Sequence, residues 1–265
     1  MTYSGYRFFD YELRNDLAGF RTVMKTLLKS AHAEWHDILE RAMKQMDQQY
    51  LQALTRNEEW LPGINQLFNA FNIPLSSTRY ILMGESPYPR VASANGYAFW
   101  DAAVDSLWSE TGLSKEVNRA TSLRNFMKML LRARGDLRED VSQPAIANLD
   151  KSQYIQTCSA LFQACLNHGF LLLNASLVFT EGKVAYHAKQ WRPFMHDLFT
   201  QLVDIRPTIQ LLLFGRIANQ LPETLLFPNL VSEHPYNISF ITNLNVIEFF
   251  KPFDLLTNDE QKHNH

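Results

Sequence analysis

Four short runs rich in Leu, Ile, Val and Phe, at 79–83, 170–173, 209–214 and 229–232, each end in residues that could do chemistry. The first is followed by Gly84-Glu85-Ser86-Pro87-Tyr88, the second by Asn174-Ala175-Ser176, the third by Gly215-Arg216 and the fourth by Glu233-His234-Pro235-Tyr236. An amide such as Asn174 presents an acceptor and a donor side by side, the pattern needed to read a polar ring edge. His234 is of the type that donates or accepts a proton near neutrality. Tyr88, and Phe99 within Gly96-Tyr97-Ala98-Phe99, offer flat faces for stacking. The Ser86 hydroxyl is suited to holding a water or to acting as a nucleophile.

The elements that would position these residues follow from hydrophobic periodicity. Short, continuous apolar runs read as strands buried on both faces. Helical stripes lie around them. Trp35, Ile38, Leu39, Ala42, Met46, Tyr50 and Leu54 recur at spacings of three and four, which predicts one amphipathic helix over 34–54. Leu123, Phe126, Met127, Leu130 and Leu131 predict a helix over 122–134, stopped by Gly135. Further helices are expected over 154–167 and 193–205. Strands separated by helices need crossover connections, so the fold class is α/β: a three-layer α/β/α domain around a central four-stranded, mainly parallel sheet. In such a sheet the carboxyl ends of the strands line one crevice, where ligands bind. Ser86, Tyr88, Asn174 and His234, with Phe99, are the expected pocket.

With 46% apolar, 12% aromatic and 20% charged residues, the 265-residue chain can bury a large core and is not a disordered tail. It reads as one domain over 1–265, with a polar tail at 258–265. A net charge of −2 excludes coating nucleic acid by bulk charge and leaves a local basic strip open. Arg124, Lys128 and Arg132 read as a solvated face opposite the apolar stripe. Cys158 and Cys165 stand roughly 10 Å apart on a helix, too far for a disulfide, and read as buried apolar residues in a reducing compartment. His187, Trp191 and His196 read as structural. The eight histidines are scattered and no metal centre is expected. Neither a signal pattern nor an apolar run of ~20 residues is present, which predicts a soluble, cytoplasmic protein with no membrane association.

Together these residues resemble the family 1 uracil-DNA glycosylases. Gly84-Glu85-Ser86-Pro87-Tyr88-Pro89 resembles that family's Gly-Gln-Asp-Pro-Tyr-His, and Gly96-Tyr97-Ala98-Phe99 its Gly-Leu-Ala-Phe. Leu171-Leu172-Leu173-Asn174 matches its uracil-reading strand end, and Ser122-Leu123-Arg124-Asn125 the end of its Pro-Pro-Ser-Leu-x-Asn loop. His234-Pro235-Tyr236-Asn237-Ile238-Ser239 resembles its His-Pro-Ser-Pro-Leu-Ser loop. Their order and spacing agree, and the resemblance covers roughly residues 35 to 256. It implies excision of uracil from single- or double-stranded DNA by base flipping, by a cofactor-free monomer acting in DNA repair. Phe99 would stack on the base, Asn174 would read its N3–H and O4, and Tyr88 would exclude a C5 methyl. His234 would donate to O2. Ser122, Pro235 and Ser239 would touch the DNA backbone, and Ile238 would fill the gap left by the flipped nucleotide.

The sequence departs from that pattern where the family has its acidic, water-orienting residue, because Ser86 stands there. A neutral hydroxyl positions water but neither takes a proton as a carboxylate does nor opposes positive charge on the sugar, so hydrolysis is expected to be impaired. Glu85 replaces that carboxylate only where the backbone turns its side chain inward. Pro89 replaces a His, Tyr236 and Asn237 replace Ser and Pro, the family's Phe-Phe-Gly-Cys segment is missing, and 101–121 and 136–150 show no detailed match. Two other classes stay open: a glycosylase-fold protein that binds DNA or an unidentified protein partner without turnover, and a serine hydrolase using Ser86 with His234 and either Asp197 or Asp204.

Overall fold

A computed structural model describes residues 26–56 and 59–258. The N-terminal stretch read for a signal, and all but the first residue of the polar tail, lie outside the described residues. Strands β1 (Tyr80–Gly84), β2 (Phe170–Asn174), β3 (Gln210–Phe214) and β4 (Asn229–Ser232) form one sheet in the order β2-β1-β3-β4, every pair parallel. Side chains alternate across it. Ile81, Met83, Leu171, Leu173, Leu211 and Leu213 enter one core, and Leu82, Phe170, Leu172, Leu212 and Phe214 enter the other. Helices α1 (His36–Met43), α2 (Gln48–Arg56) and α5 (Val184–Ile205) close the first face; α3 (Thr121–Arg134), α4 (Cys158–Asn167) and α6 (Leu244–Phe250) close the second. This is the expected three-layer fold. Apolar runs buried on both faces are what a parallel sheet under two helical layers requires.

The helices depart from expectation at three places. The stripe over 34–54 is two helices, α1 and α2, because the Asp47 carboxylate accepts the backbone N–H groups of Gln49 (2.8 Å) and Tyr50 (3.4 Å) and starts a new helix. Helix α4 begins at Cys158, with Thr157 as its cap; the residues before it are extended, Ile155 N–H donating to the Leu256 carbonyl at 2.8 Å. Helix α5 starts at Val184 and runs through Pro193, which is exposed, while His187, Trp191, Phe194, Met195 and Leu198 keep one continuous buried stripe. That packing outweighs the hydrogen bond Pro193 removes.

Both cysteines are free and buried, and desolvation pushes their thiols up to about 12, which leaves them inert. Arg124, Lys128 and Arg132 are half-buried rather than a solvated face, and the Arg124 guanidinium donates to the Asn118 carbonyl at 3.0 Å. In the 101–150 region Trp108–Ser109 pairs with Gly112–Leu113, and the Gln143 side chain bonds both backbone groups of Leu113 at 3.1 Å. Among the described residues no helix is long and apolar enough to cross a membrane.

Helix α3 stops where Gly135 turns left-handed at φ 88°, its N–H returned to the Arg132 and Leu131 carbonyls. A methyl group there meets nothing within 4 Å, so only the backbone cost remains. Gly135→Ala should therefore lower stability by about 1 kcal/mol in urea unfolding and leave the strand ends unchanged.

Candidate active site at the strand ends

Asn174 is the last residue of β2 and lies in register opposite Gly84, the last of β1. A Cβ on Gly84 would stand 2.4 Å from Asn174 Oδ1 and 2.8 Å from the Ala98 Cβ. Only glycine permits this approach. The strand exits are stitched together as well, Ala175 N–H donating to the Gly84 carbonyl (2.9 Å) and Ser176 N–H to the Glu85 carbonyl (3.0 Å). Asn174 is 2% exposed, and its amide makes no hydrogen bond to another described residue.

The aromatic residues form a second wall. Phe99 adopts φ 63°, unusual for a side chain of its size, at the end of a turn whose Ala98 N–H is fixed to the Leu172 carbonyl at 3.0 Å. Its own carbonyl accepts the Tyr88 hydroxyl at 3.1 Å. Burial raises the Tyr88 pKa, so that hydroxyl stays protonated and remains a donor. Tyr88, Phe99 and Ser122 line one cavity with Leu82, Leu123, Phe126, Phe162 and Phe214.

His234 follows β4. Its ring lies nearly parallel to Phe99, centroids 5.9 Å apart and planes at 24°. Gly215, at φ 79°, leaves room for it: a Cβ there would sit 2.9 Å from the His234 Cβ. The Tyr236 N–H donates to Nδ1 at 3.1 Å, so the neutral ring carries its proton on Nε2 and presents that nitrogen as a donor. Burial lowers the His234 pKa, and the Glu85 carboxylate partly restores it. The site therefore holds a neutral imidazole at pH 7.

Contacts thus link Tyr88 to Phe99 and Phe99 to His234, with Glu85 near that ring, while Asn174 stands opposite Gly84 and half-buried Ser86 follows Glu85 in the chain. Glu85 stands at the mouth, 47% exposed, 3.8 Å from Arg216 Nε and close enough for its charge to act on His234. Ser122 stands at the start of α3, Pro235 is buried, and Ile238 (80% exposed) and Ser239 open a helical turn on the rim. Two positioning features carried no role in the sequence reading. One is the pair Gly84 and Gly215. The other is Asn125, 3% exposed within α3, whose amide donates to the carbonyls of Pro235 (2.7 Å) and Tyr236 (3.3 Å) and so holds the His234 loop. An asparagine on the buried side of a helix was its signal, since Asn is ordinarily placed at caps.

Other chemistries find less support. His32 and His36 stand four residues apart, but His32 precedes α1 and accepts the Glu34 N–H, while His36 bonds the Ala31 carbonyl. No group of three or more His, Cys, Asp or Glu able to hold a metal occurs among the described residues. A serine triad needs an acid on His234 Nδ1, and that nitrogen is taken by a backbone N–H. Asp197 is held by Arg41 (3.5 Å) and Gln201 (2.6 Å), and Asp204 is exposed. His187 is structural: the Tyr50 hydroxyl and Thr180 bracket its ring, and Trp191 donates to that hydroxyl.

No family model matches the chain. Over 91% of its length it superposes on the crystal structure of wild-type UNG from Nitratifractor salsuginis, spanning 98% of that chain, with TM-score 0.84 and 39% sequence identity. A uracil-DNA glycosylase of Campylobacter lari is 27% identical over 213 residues, 78% of this chain and 80% of that one. One from Amoebophilus asiaticus is 26% identical over 173 residues, 64% of this chain and 65% of that relative. Mimivirus uracil-DNA glycosylase, at 17% identity and TM-score 0.54 over 83% of this chain, shares the fold.

The His234 geometry has a pH signature. Burial opposes the imidazolium, and protonation would also set an Nδ1–H against the Tyr236 N–H, so the ring should titrate below the ordinary histidine value of about 6.5. Glu85→Gln removes the charge that favours the imidazolium and should move that midpoint lower still, read from the His234 ring proton by NMR.

Proposed function

The chain belongs to the uracil-DNA glycosylase family, and from that premise we propose that it excises uracil from DNA by hydrolysing the N-glycosidic bond of a flipped nucleotide. The observation that carries this reading is the neutral, Nε2-protonated His234 packed against Phe99, at the same strand ends as the buried Asn174 amide. Uracil stacked on Phe99 offers its N3–H to Asn174 Oδ1 and its O4 to the Asn174 amide N–H, a pairing that cytosine reverses. Tyr88, pinned by its hydroxyl to the Phe99 carbonyl, occupies the C5 side and leaves no room for thymine's methyl. When the C1′–N1 bond breaks, its electron pair stays on uracil and negative charge grows on O2, where His234 Nε2–H donates. A preformed neutral donor stabilises that charge without reorganising. The water oxygen then bonds C1′ and its proton passes to solvent. Ser122, Pro235 and Ser239 contact the sugar-phosphate backbone, and Ile238 enters the space the base has left. The protein acts as a cytoplasmic monomer without a cofactor.

Ser86 places a water at this centre without supplying a charge, so we propose slower hydrolysis than a carboxylate at that position gives. The same residue favours a second reading, in which the fold binds DNA and turnover is lost.

Single-turnover excision with enzyme in excess over uracil-containing oligonucleotide separates the two. Wild type should cleave slowly; Asn174→Ala and His234→Ala should each lose about 100-fold or more, and Ser86→Asp should gain rate with DNA affinity retained. Intact DNA binding with no excision by wild type would leave the second reading standing.

A further inference from the structure

Arg216 directly follows Gly215, the residue whose missing side chain makes room for His234. It thereby follows the residue packed against His234, and its side chain is 85% exposed. Its ion pair among the described residues is with Glu85, one long contact of 3.8 Å from Nε to Oε1 rather than a two-point clasp. An exposed pair of this kind is weak and offers little resistance to exchange. A guanidinium, in contrast, matches phosphate with two parallel hydrogen bonds. Glu85 presents the converse problem. A half-exposed carboxylate at the mouth repels a polyanion unless a cation covers it while the strand approaches, and Arg216 is that cation. Once the strand is seated, its phosphates compete for the same guanidinium.

We propose that Arg216 is a phosphate-binding residue that shields Glu85 in the free protein and passes to a backbone phosphate beside the flipped nucleotide, leaving the Glu85 carboxylate to oppose positive charge on the sugar. The second half rests on the uracil-excision reading; the first does not. Arg216 is then both a DNA contact and a gate on the carboxylate nearest His234, so the charge that Ser86 lacks is uncovered only when DNA is bound.

Two measurements test the two halves separately. Affinity for a duplex without uracil, followed against salt, needs no turnover. Arg216→Ala should weaken binding about tenfold near physiological salt and reduce the slope of log affinity against log salt by about 0.9, the loss of one phosphate contact. Arg216→Lys should keep most of that slope, and Glu85→Gln should tighten binding with the slope unchanged. Single-turnover excision then reads Glu85, whose replacement by Gln should slow the bound complex at least about tenfold. An unchanged slope for Arg216→Ala overturns the phosphate contact, and an unchanged rate for Glu85→Gln overturns the exposed carboxylate. Absence of excision by wild type defeats the excision reading and the Glu85 half together, while the slope still decides Arg216. Both residues are exposed, and thermal unfolding verifies that the variants fold.

Discussion

Backbone approach without a side chain is the constraint on which the site depends. At the end of β1 the space a Cβ would take is already filled by the Asn174 carboxamide, and at the end of β3 by the side chain of His234. Neither contact exists unless the parallel ladders hold their register, since sliding β2 by one residue would bring Leu173 or Ala175 against Gly84. The register is held in turn by two separate cores, because alternate residues of every central strand are buried on opposite faces. Packing far from the crevice therefore sets the amide and the imidazole in place. The glycines cost folding entropy, and they stand where a recognition group must come within touching distance of a neighbouring strand.

Electrostatic control runs through the backbone rather than through paired charges. The Asn125 amide in α3 grips the carbonyls of Pro235 and Tyr236, the Tyr236 N–H fills His234 Nδ1, and the imidazole then presents Nε2–H. Each link is a hydrogen bond between neutral groups. No carboxylate holds Nδ1, so a second proton there would face the Tyr236 N–H, and only the more distant Glu85 charge favours it. A histidine that must donate and stay uncharged is served by this arrangement; one acting as a general base beside a serine would need the opposite.

Much of this was legible in the sequence, for identifiable reasons. Strands such as Leu171-Leu172-Leu173 are apolar on both faces, a pattern that only a covered parallel sheet explains, so the sheet and its polar exits could be read directly. Local competition was harder to see. Asp47 splits a continuous apolar stripe because its carboxylate offers the backbone a new cap, whereas Pro193 fails to split another because the core behind it is continuous. The role of Asn125 depends on a loop 110 residues away, and the pairing of Arg216 with Glu85 on the convergence of two strand ends. The sequence marks Asn125 only as an asparagine on a buried helix face, without its partner, and carries no trace of the Arg216 pairing.

The change at Ser86 is best understood as a relocation of charge. The Glu85 backbone is committed, its carbonyl accepting the Ser176 N–H, and its side chain is half-exposed beside Arg216. A unit charge about 6 Å from a sugar cation contributes between roughly 0.7 and 3 kcal/mol as the effective dielectric falls from that of water to about 20. That range corresponds to between about threefold and somewhat over a hundredfold in rate. Under the proposed exchange, a carboxylate at the mouth would recover part of what one held against the sugar gives, and most where bound DNA excludes water and engages Arg216. On the proposed reading, uracil is recognised by Asn174, Phe99 and Tyr88, and none of these charges takes part. The proposed recognition and water-positioning groups are different side chains, so under that reading a change at Ser86 bears on the second alone.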